Sequence, residues 1–193
     1  MTARTDQFTL ERTADRIEIL DVLARYSRAI DRLDYNLIRE VYHEDAVDNH
    51  GKDLTVEEFV FWVRERHKTI SVSWHSFGNV LIDFAGPDLA LVESYAQVVQ
   101  CYPPEAKDAL SQLVGDVEGN TTSGKVLLIS GRSVDRFERR NNRWKIQRRT
   151  IVYESSIVVD MQPEPKGGPS WVRGRRDGDD FSFQELRALG ICQ

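Results

Sequence analysis

The sequence predicts one α+β domain in which helices pack on one face of a curved antiparallel sheet, giving a cone-shaped α+β barrel. Two observations predict this class. Helical periodicity is confined to the first third of the chain, and period-two alternation dominates residues 72–159. Helices that precede an antiparallel sheet are typical of the α+β class. The chain has 193 residues, 40% of them hydrophobic, which is enough for one well-cored domain and short for two.

Three helices are expected before the sheet. The first covers residues 13–34, where apolar side chains recur at steps of three or four, the spacing of one helix face: Ile19, Leu23, Tyr26, Ile30 and Leu33. A second helix is expected at residues 35–42. The third covers residues 55–67, because Thr55 is a good N-cap and Glu58 follows three positions later, as in a capping box.

Four strands are expected next, at residues 72–84, 89–102, 125–140 and 143–159. These segments are rich in β-branched and aromatic residues. Turn-forming residues at 85–88 and 141–142 separate the first two strands and the last two, so each pair is expected to form an antiparallel hairpin. The connection at 103–124 is longer, includes a short helix at 105–114 and is a candidate lid.

The domain is expected to span residues 12–160 and to be followed by a tail at 161–193. The tail is rich in Pro, Gly, Arg and Asp from 162 to 180 and then shows a short helical pattern at 183–189. We expect it to cover the mouth of a pocket or a neighbouring subunit. The two cysteines, Cys101 and Cys192, form neither a disulfide framework nor a thiolate metal motif.

Charge and hydropathy exclude several partners. The net charge is −5 and the pI is near 5.4, so the chain lacks the overall positive field that binds phosphate backbones. No stretch approaches the roughly 20 apolar residues that span a bilayer, and no signal peptide is evident. We therefore expect a cytoplasmic protein that binds neither nucleic acid nor membrane.

Three polar residues lie among apolar ones. Asp31 is at the edge of the apolar stripe of the first helix, five positions after Tyr26. His75 shares alternation parity with Phe77 and Asn79 and is expected to face inward. Each has a structural interpretation as well: Asp31 can cap or solvate the helix end, Tyr26 can be a core aromatic, and His75 can be a hydrogen-bonded strand histidine.

Two other clusters resemble functional sites, but a structural interpretation explains each of them more simply. His43, Glu44, Asp45, Asp48 and His50 resemble a metal cluster, but they lack the HExxH arrangement and look like a polar turn, so we expect no metal. The hairpin at 136–149 contains seven cations and two aromatics. The alternation of polar and apolar residues in this hairpin is typical of a strand pair with one solvent-exposed face, so an RNA-binding patch is not expected.

Four short motifs, taken in order, resemble the SnoaL-like branch of the nuclear transport factor 2-like superfamily. They are YSRAID at 26–31, EDAV at 44–47, HSFGN at 75–79 and RWKIQRR at 143–149, and the likeness covers about residues 14–154. The resemblance implies a cystatin-like cone with a deep apolar pocket. The family includes cofactor-independent dehydratases, dehydrochlorinases and isomerases, and also many domains that only bind.

The resemblance also implies site residues. The dehydratase and dehydrochlorinase members place an Asp on the first helix and a His on the first long strand, which matches Asp31 and His75. It places Tyr26 where bile-acid dehydratases carry a tyrosine, which favours loss of water over loss of halide. Arg149 stands where an arginine often lines the pocket. For a further acidic residue on the second strand, the nearest positions are Glu93, Tyr95 and Gln97.

These residues imply elimination beside a carbonyl. Asp31 would hold one nitrogen of His75, making the other a better general base, and Tyr26 or reprotonated His75 would serve as the acid. Arg149 would stabilise developing oxyanion charge. The residues expected to bind the substrate are Trp62, Trp74, Phe77, Asn79 and Tyr95.

The predicted function is therefore that of a cofactor-independent lyase or proton-transfer isomerase acting on a hydrophobic cyclic small molecule. No nicotinamide or flavin is expected, because the chain has neither a GxGxxG turn nor a parallel βαβ unit. The alternative is a non-catalytic ligand-binding or scaffold protein, like the small subunit of ring-hydroxylating dioxygenases. A homotrimer is expected, with a dimer second, through apolar residues of the outer sheet face: Val152, Ile157, Val158 and Val159.

Overall fold

A computed structural model describes residues 7–116, 123–162 and 170–191. The helices and strands in this part of the chain are, in order, α1 (Leu10–Arg32), α2 (Tyr35–Val41), β1 (Tyr42–Asn49), β2 (Asp53–Thr55), α3 (Val56–Arg66), β3 (Val72–Gly86), β4 (Leu89–Tyr102), α4 (Lys107–Val114), β5 (Lys125–Arg140), β6 (Arg143–Asp160) and α5 (Phe181–Ala188). Part of the predicted connection (117–122), part of the tail (163–169) and Cys192 lie outside the described residues.

The N-terminal helices form where the apolar periodicity predicts them. Helix α1 starts three residues earlier than expected, because the Thr9 hydroxyl caps it by accepting a hydrogen bond from the backbone N–H of Arg12. It ends at Leu33, which adopts the left-handed conformation with a φ of 55°. Helix α3 has the predicted capping box, in which the side chains of Thr55 and Glu58 each accept from the other's backbone N–H.

The four predicted strands are β3 to β6, and each pairs antiparallel with the next. Two shorter strands extend the sheet, giving the order β2-β1-β6-β5-β4-β3. Strand β1 is parallel to β6, so the six-stranded sheet is mixed rather than antiparallel throughout, and it stays open. The α+β class, with helices packed on a curved sheet, is confirmed.

The prediction of a polar turn at residues 43–50 was wrong, since most of this segment is strand β1. The sequence of β1 does not show the usual alternation of polar and apolar residues. Its inward positions include the carboxylate of Asp48 as well as Ala46, and both are buried. Pairing with β6 outweighs the polar composition, because it satisfies backbone groups that β6 would otherwise present at an edge.

The main core lies between the helices and the inner face of the sheet. Helix α1 contributes Ile19, Leu23 and Ile30, and β6 contributes Trp144 and Ile146, all less than 4% exposed. Burying each such side chain stabilises the fold by about 1.5–3 kcal/mol relative to exposure. A second cluster forms where α4 covers the far end of the sheet.

A β-bulge in β3 changes which residues face the helices. The pairing with β4 shifts between Gly78 and Val80, so Asn79 is left unpaired with a φ of 50°. Before the shift, odd-numbered residues such as Phe77 face inward. After the shift, even-numbered residues such as Ile82 do so.

A second bulge has the same effect in β6. Ile146 is opposite Phe137 and Arg148 is opposite Arg136, so Gln147 is the extra residue. Simple alternation from Trp144 and Ile146 would turn Arg149 towards solvent. Because of the bulge, Arg149 faces inward and is fully buried.

The C-terminal tail packs against the end of α1. Asp180 is 4% exposed, caps α5 and lies 3.4 Å from the guanidinium of Arg32. Phe183 is 8% exposed and lies under the guanidinium of Arg28. In the described residues, no helix is long and apolar enough to cross a membrane.

Candidate active site

The Asp31 carboxylate and the His75 imidazole are in direct contact. Asp31 lies in the last turn of α1, and His75 lies near the start of β3. Oδ1 of Asp31 is 2.6 Å from Nδ1 of His75, and Oδ2 accepts the backbone N–H of His75 at 2.8 Å. The Ser73 hydroxyl donates a third hydrogen bond, at 3.0 Å. Three donors therefore fix the carboxylate, and the carboxylate fixes the ring.

The charges of this pair suit a general base. Burial disfavours the Asp31 carboxylate, but the hydrogen bonds from His75 and Ser73 outweigh it, and its pKa lies below the ordinary 3.8. Nδ1 of His75 is bonded to Asp31, and the other ring nitrogen, Nε2, has no hydrogen-bond partner in the described part of the chain. The His75 side chain is 14% exposed, so a ligand can reach it.

Tyr26 and Arg149 also meet, but Arg149 already has a partner. Cζ of Arg149 lies 3.8 Å from the centre of the Tyr26 ring. Nε and Nη2 of Arg149 donate to the two oxygens of Asp135, at 2.9 and 2.6 Å. Both side chains of this ion pair have no exposed surface. Within the described residues, Nη1 of Arg149 is a buried donor without a partner.

These contacts determine the charge states of Arg149 and Tyr26. Burial disfavours the guanidinium, but Asp135 and the phenol oxygens of Tyr42 and Tyr26 keep the pKa of Arg149 well above its usual value. Burial also raises the pKa of Tyr26 well above its usual value, so its phenol remains protonated. Tyr26 is accordingly suited to donate a hydrogen bond rather than to release its proton.

The predicted substrate-binding residues divide between the two faces of the sheet. Phe77 faces inward, with its ring centre 6.2 Å from that of Tyr26, and Trp62 of α3 lies on the helix side of the sheet. Trp74 and Tyr95 are 62% and 52% exposed on the outer face, so the structure does not bring them together with Phe77 and Trp62. Asn79 is exposed at the bulge, where the alternation that placed it inward is interrupted. Glu93 and Gln97, the candidates for the further acidic residue, share the outward parity of Tyr95.

The described tail brings an arginine to the pair. Arg176 donates to the backbone oxygens of Ile30, Asp31 and Ile70, each at 3.0 Å. It also lies 2.9 Å from Nδ1 of His67. Burial, Arg176 and the other nearby cations lower the pKa of His67 to about 2, so His67 is neutral and accepts this hydrogen bond. Arg176 thereby ties the tail to the carbonyl end of α1, where Asp31 lies.

The residues that resembled a metal cluster separate in the fold. His43 is bonded through Nε2 to the carbonyl of Glu138, whereas His50 contacts Asp48. Asp45 forms an exposed ion pair with Arg140. No group of three or more potential metal ligands occurs among the described residues.

The basic hairpin is extensively ion-paired with carboxylates from other elements. Arg139 contacts Asp15 of α1, and Arg143 contacts Glu18 of the same helix. Arg148 contacts Asp53 of β2. These carboxylates neutralise much of the positive charge, so the hairpin stabilises the packing of α1 and β2 on the sheet.

Sequence reasoning missed several residues of this region. Asp135 had a usable signal, because it shares inward parity on β5 with Ser133 and Phe137. Arg176 and His67 had none, since contacts between a tail, a helix end and a loop do not follow a periodic pattern. His50 and Asp48 were noticed as a possible metal cluster rather than as a pair.

Comparison with solved structures gives the class of protein. The chain resembles a protein with a cystatin-like fold from Nostoc punctiforme, at a TM-score of 0.51 and 19% identity over 73% of this chain and 92% of that one. It also resembles hexachlorocyclohexane dehydrochlorinase LinA-type3 from Novosphingobium barchaimii, at a TM-score of 0.64 and 15% identity over 80% and 99%. A scytalone dehydratase-like protein from Novosphingobium aromaticivorans matches at 0.60 and 16% over 80% and 95%. The protein therefore has the cystatin-like α+β fold.

The family follows from the sequence. The model of the SnoaL-like domain matches residues 11–150, and the chain belongs to this family. A search of curated proteins found no match. The matched segment contains Tyr26, Asp31, His75 and Arg149, whereas Arg176 lies beyond it.

Proposed function

We propose that this protein is a cofactor-independent lyase of the dehydratase type, or a proton-transfer isomerase, acting on a hydrophobic cyclic small molecule. The contact between Asp31 and His75 carries the proposal, because it combines an ionised carboxylate with a partly exposed imidazole whose Nε2 has no hydrogen-bond partner in the described part of the chain. Membership of a family whose structural neighbours include LinA and a scytalone dehydratase-like protein supports this reaction class.

In this mechanism, Nε2 of His75 removes a proton from the carbon beside a substrate carbonyl. Asp31 holds the ring and stabilises the imidazolium that forms. In an isomerase, the same imidazolium returns the proton to another carbon. In a lyase, the C–O bond to the leaving hydroxyl breaks and the hydroxyl must acquire a proton.

Tyr26 and Arg149 are assigned to the carbonyl oxygen. The Tyr26 phenol would donate a hydrogen bond to the oxyanion that develops there, since its raised pKa keeps it protonated. Asp135 already binds Nε and Nη2 of Arg149, so Arg149 would act through its contact with the Tyr26 ring and through Nη1, the guanidinium nitrogen that has no partner among the described residues. Arg149 therefore has fewer free donors than the role implied by the resemblance requires.

Assembly as a homotrimer, or as a dimer, remains part of the proposal. Several apolar side chains on the outer sheet face, far from the helices, are more than half exposed, including Trp74, Leu81, Tyr153 and Ile157. A surface of this kind favours self-association. A non-catalytic scaffold would use the same surface but would not need the Asp31–His75 contact. Light scattering at micromolar concentration should give a mass well above 22.2 kDa, and a monomer would contradict the proposed assembly.

Hydrogen–deuterium exchange at carbon tests the catalytic base. α-Tetralone is a bicyclic ketone whose exchange needs a base and an oxyanion donor but no leaving group. The wild-type protein should accelerate its exchange in D₂O, and His75→Gln should lose about 10²- to 10⁴-fold of that acceleration with unchanged melting. His43→Gln is the matched control, because His43 is bonded to the carbonyl of Glu138 and lies outside the pair.

Two outcomes would contradict the proposal. Exchange that is undiminished in His75→Gln would remove His75 as the base. Activity and melting temperature that fall together in His75→Gln would indicate a structural role for the pair.

A further inference from the structure

A second histidine–carboxylate pair lies on the inner side of the sheet. Asp48 of β1 has no exposed side-chain surface, and its Oδ1 is in close contact with Nδ1 of His50. The Tyr42 hydroxyl donates to Oδ2 of the same carboxylate, at 2.5 Å. His50 is therefore oriented by a buried carboxylate that is itself fixed by a third group, as His75 is oriented by Asp31 and Ser73.

Packing also holds the His50 ring. Its centre lies 5.1 Å from that of Phe59, nearly parallel to it, and 5.4 Å from that of Trp62. The His50 side chain is 24% exposed, more than the 14% of His75. Because Asp48 engages Nδ1, His50 presents Nε2, for which the described part of the chain offers no hydrogen-bond partner.

Two series of side-chain contacts connect the two pairs. On one side, Trp62 packs against both His50 and His67, and Arg176 joins His67 to the backbone of Asp31.

On the other side, aromatic rings link the two pairs. Tyr42, which binds Asp48, contacts the edge of Tyr26 at 6.2 Å between ring centres. Tyr26 in turn contacts Phe77, two positions after His75 on the same face of β3. The two series of contacts thus connect the Asp48–His50 pair with the Asp31–His75 pair on the inner side of the sheet.

We propose that His50, held by Asp48, is a second catalytic residue of this site and acts as the general acid that protonates the leaving hydroxyl while His75 acts on carbon. This inference rests on the proposed lyase function. It narrows the substrate class to β-hydroxy carbonyl compounds, because an acid aimed at oxygen is needed only where a poor leaving group departs.

The step balances with two imidazoles. Nε2 of His75 takes the proton, and the C–H electron pair becomes the new C=C bond. The C–O bond breaks, and its electron pair takes the proton from Nε2 of the His50 imidazolium, so water leaves. His75 then returns one proton to solvent, and His50 takes one up.

The other candidate acids fit this task less well. Burial raises the pKa of Tyr26, which makes its phenol a poor proton donor. Burial and nearby cations keep His67 neutral, and its Nδ1 accepts a hydrogen bond from Arg176. His50 combines a buried carboxylate partner with partial exposure, which is what an acid that recharges from solvent requires.

Two matched substrates test the proposal, since they differ only in the leaving group. One is 4-hydroxy-4-phenylbutan-2-one and the other is its O-acetyl ester, which expels acetate without acid assistance. His50→Gln should lower kcat/KM for the alcohol by about 10²- to 10⁴-fold and for the ester by less than about 10-fold. His75→Gln should lower both, because both need the base.

A second variant distinguishes the loss of the acid from a folding defect. His50→Ala removes the ring that packs beside Phe59 and Trp62, and added imidazole should restore elimination from the alcohol and leave the ester unchanged. His43→Gln should leave both substrates unaffected.

The outcomes separate the two proposals. Equal losses for alcohol and ester in His50→Gln, or no loss for either, would overturn the role of His50 while leaving His75 as the base. A wild-type protein that eliminates neither leaving group and does not exchange α-tetralone would overturn the lyase function, and the role of His50 with it.

Discussion

The Asp31–His75 and Asp135–Arg149 pairs both join a carboxylate to a nitrogen base on the inner side of the sheet, but they differ in access. In the first pair, the side chains are 8% and 14% exposed, and Nε2 of His75 is available. In the second, both side chains are fully buried, and two guanidinium nitrogens bind the carboxylate. The difference indicates that the first pair can act on a ligand, whereas the second holds the sheet and Tyr26 in place.

Breaking the fully buried pair should have the largest effect on stability. Arg149→Met leaves the Asp135 carboxylate buried without its partner, and we expect a loss of about 3–5 kcal/mol in the free energy of unfolding. Urea denaturation measures this change. The double variant Arg149→Met with Asp135→Leu should recover much of the loss, because it removes the uncompensated charge. A single variant that loses less than about 1 kcal/mol would contradict the comparison.

Breaking the Asp31–His75 pair should have a smaller effect on stability and a larger effect on the hydrogen–deuterium exchange of α-tetralone. Asp31→Asn removes a charged acceptor of three hydrogen bonds, so we expect a loss of about 1.5–3 kcal/mol at pH 7. Because the pKa of Asp31 is lowered in the folded state, its stabilisation is present above its ordinary value of 3.8 and is lost as the pH falls through the folded value.

Measuring the stability of wild type and Asp31→Asn as a function of pH tests this role of Asp31. The stability difference between wild type and Asp31→Asn should shrink as the pH falls below 4. α-Tetralone exchange should fall in the variant at pH 7. A difference that is independent of pH down to acid unfolding would mean that the Asp31 charge is not the source of the stabilisation.

His67 extends the comparison, because it is buried and its side-chain partner among the described residues is the guanidinium of Arg176 rather than a carboxylate. Its folded pKa is about 2 against an ordinary value of 6.5, so below pH 6.5 the unfolded chain binds a proton that the folded chain does not. Wild-type stability should therefore fall with decreasing pH by up to about 1.4 kcal/mol per pH unit from this group. His67→Gln keeps an acceptor for Arg176 and should show a smaller slope between pH 6.5 and pH 4.5 in urea denaturation. Equal slopes would contradict a buried neutral His67.

Much of the fold could be predicted because it follows local periodicity. The apolar stripe of α1, the Thr55–Glu58 capping box and the alternation of β3 to β6 depend on neighbouring residues only. Strand β1 was missed because its pairing with β6, rather than its composition, makes it a strand. Trp74 and Tyr95, which were expected to bind the substrate, lie apart from His75 because both have the parity of the outer face on the paired strands.

The candidate site was predictable only in part. The resemblance identified Asp31 and His75, and alternation placed His75 inward, but no local rule brings together residues that lie 44 positions apart. Arg149 shows the limit more sharply. Simple alternation points it to solvent, and the extra residue at Gln147 turns it into the core towards Asp135.

The sequence by itself determined the class of the domain, the order of its main elements and the residue types available for proton transfer, because these depend on spacings of two to four residues. Only the tertiary structure decided which of those residues meet. The Asp31–His75 and Asp48–His50 contacts, the Asp135–Arg149 pair and the approach of Arg176 to α1 depend on bulges, a parallel strand pair and tail packing. Such features arise from burial and backbone pairing over the whole chain, and short-range pattern does not encode them.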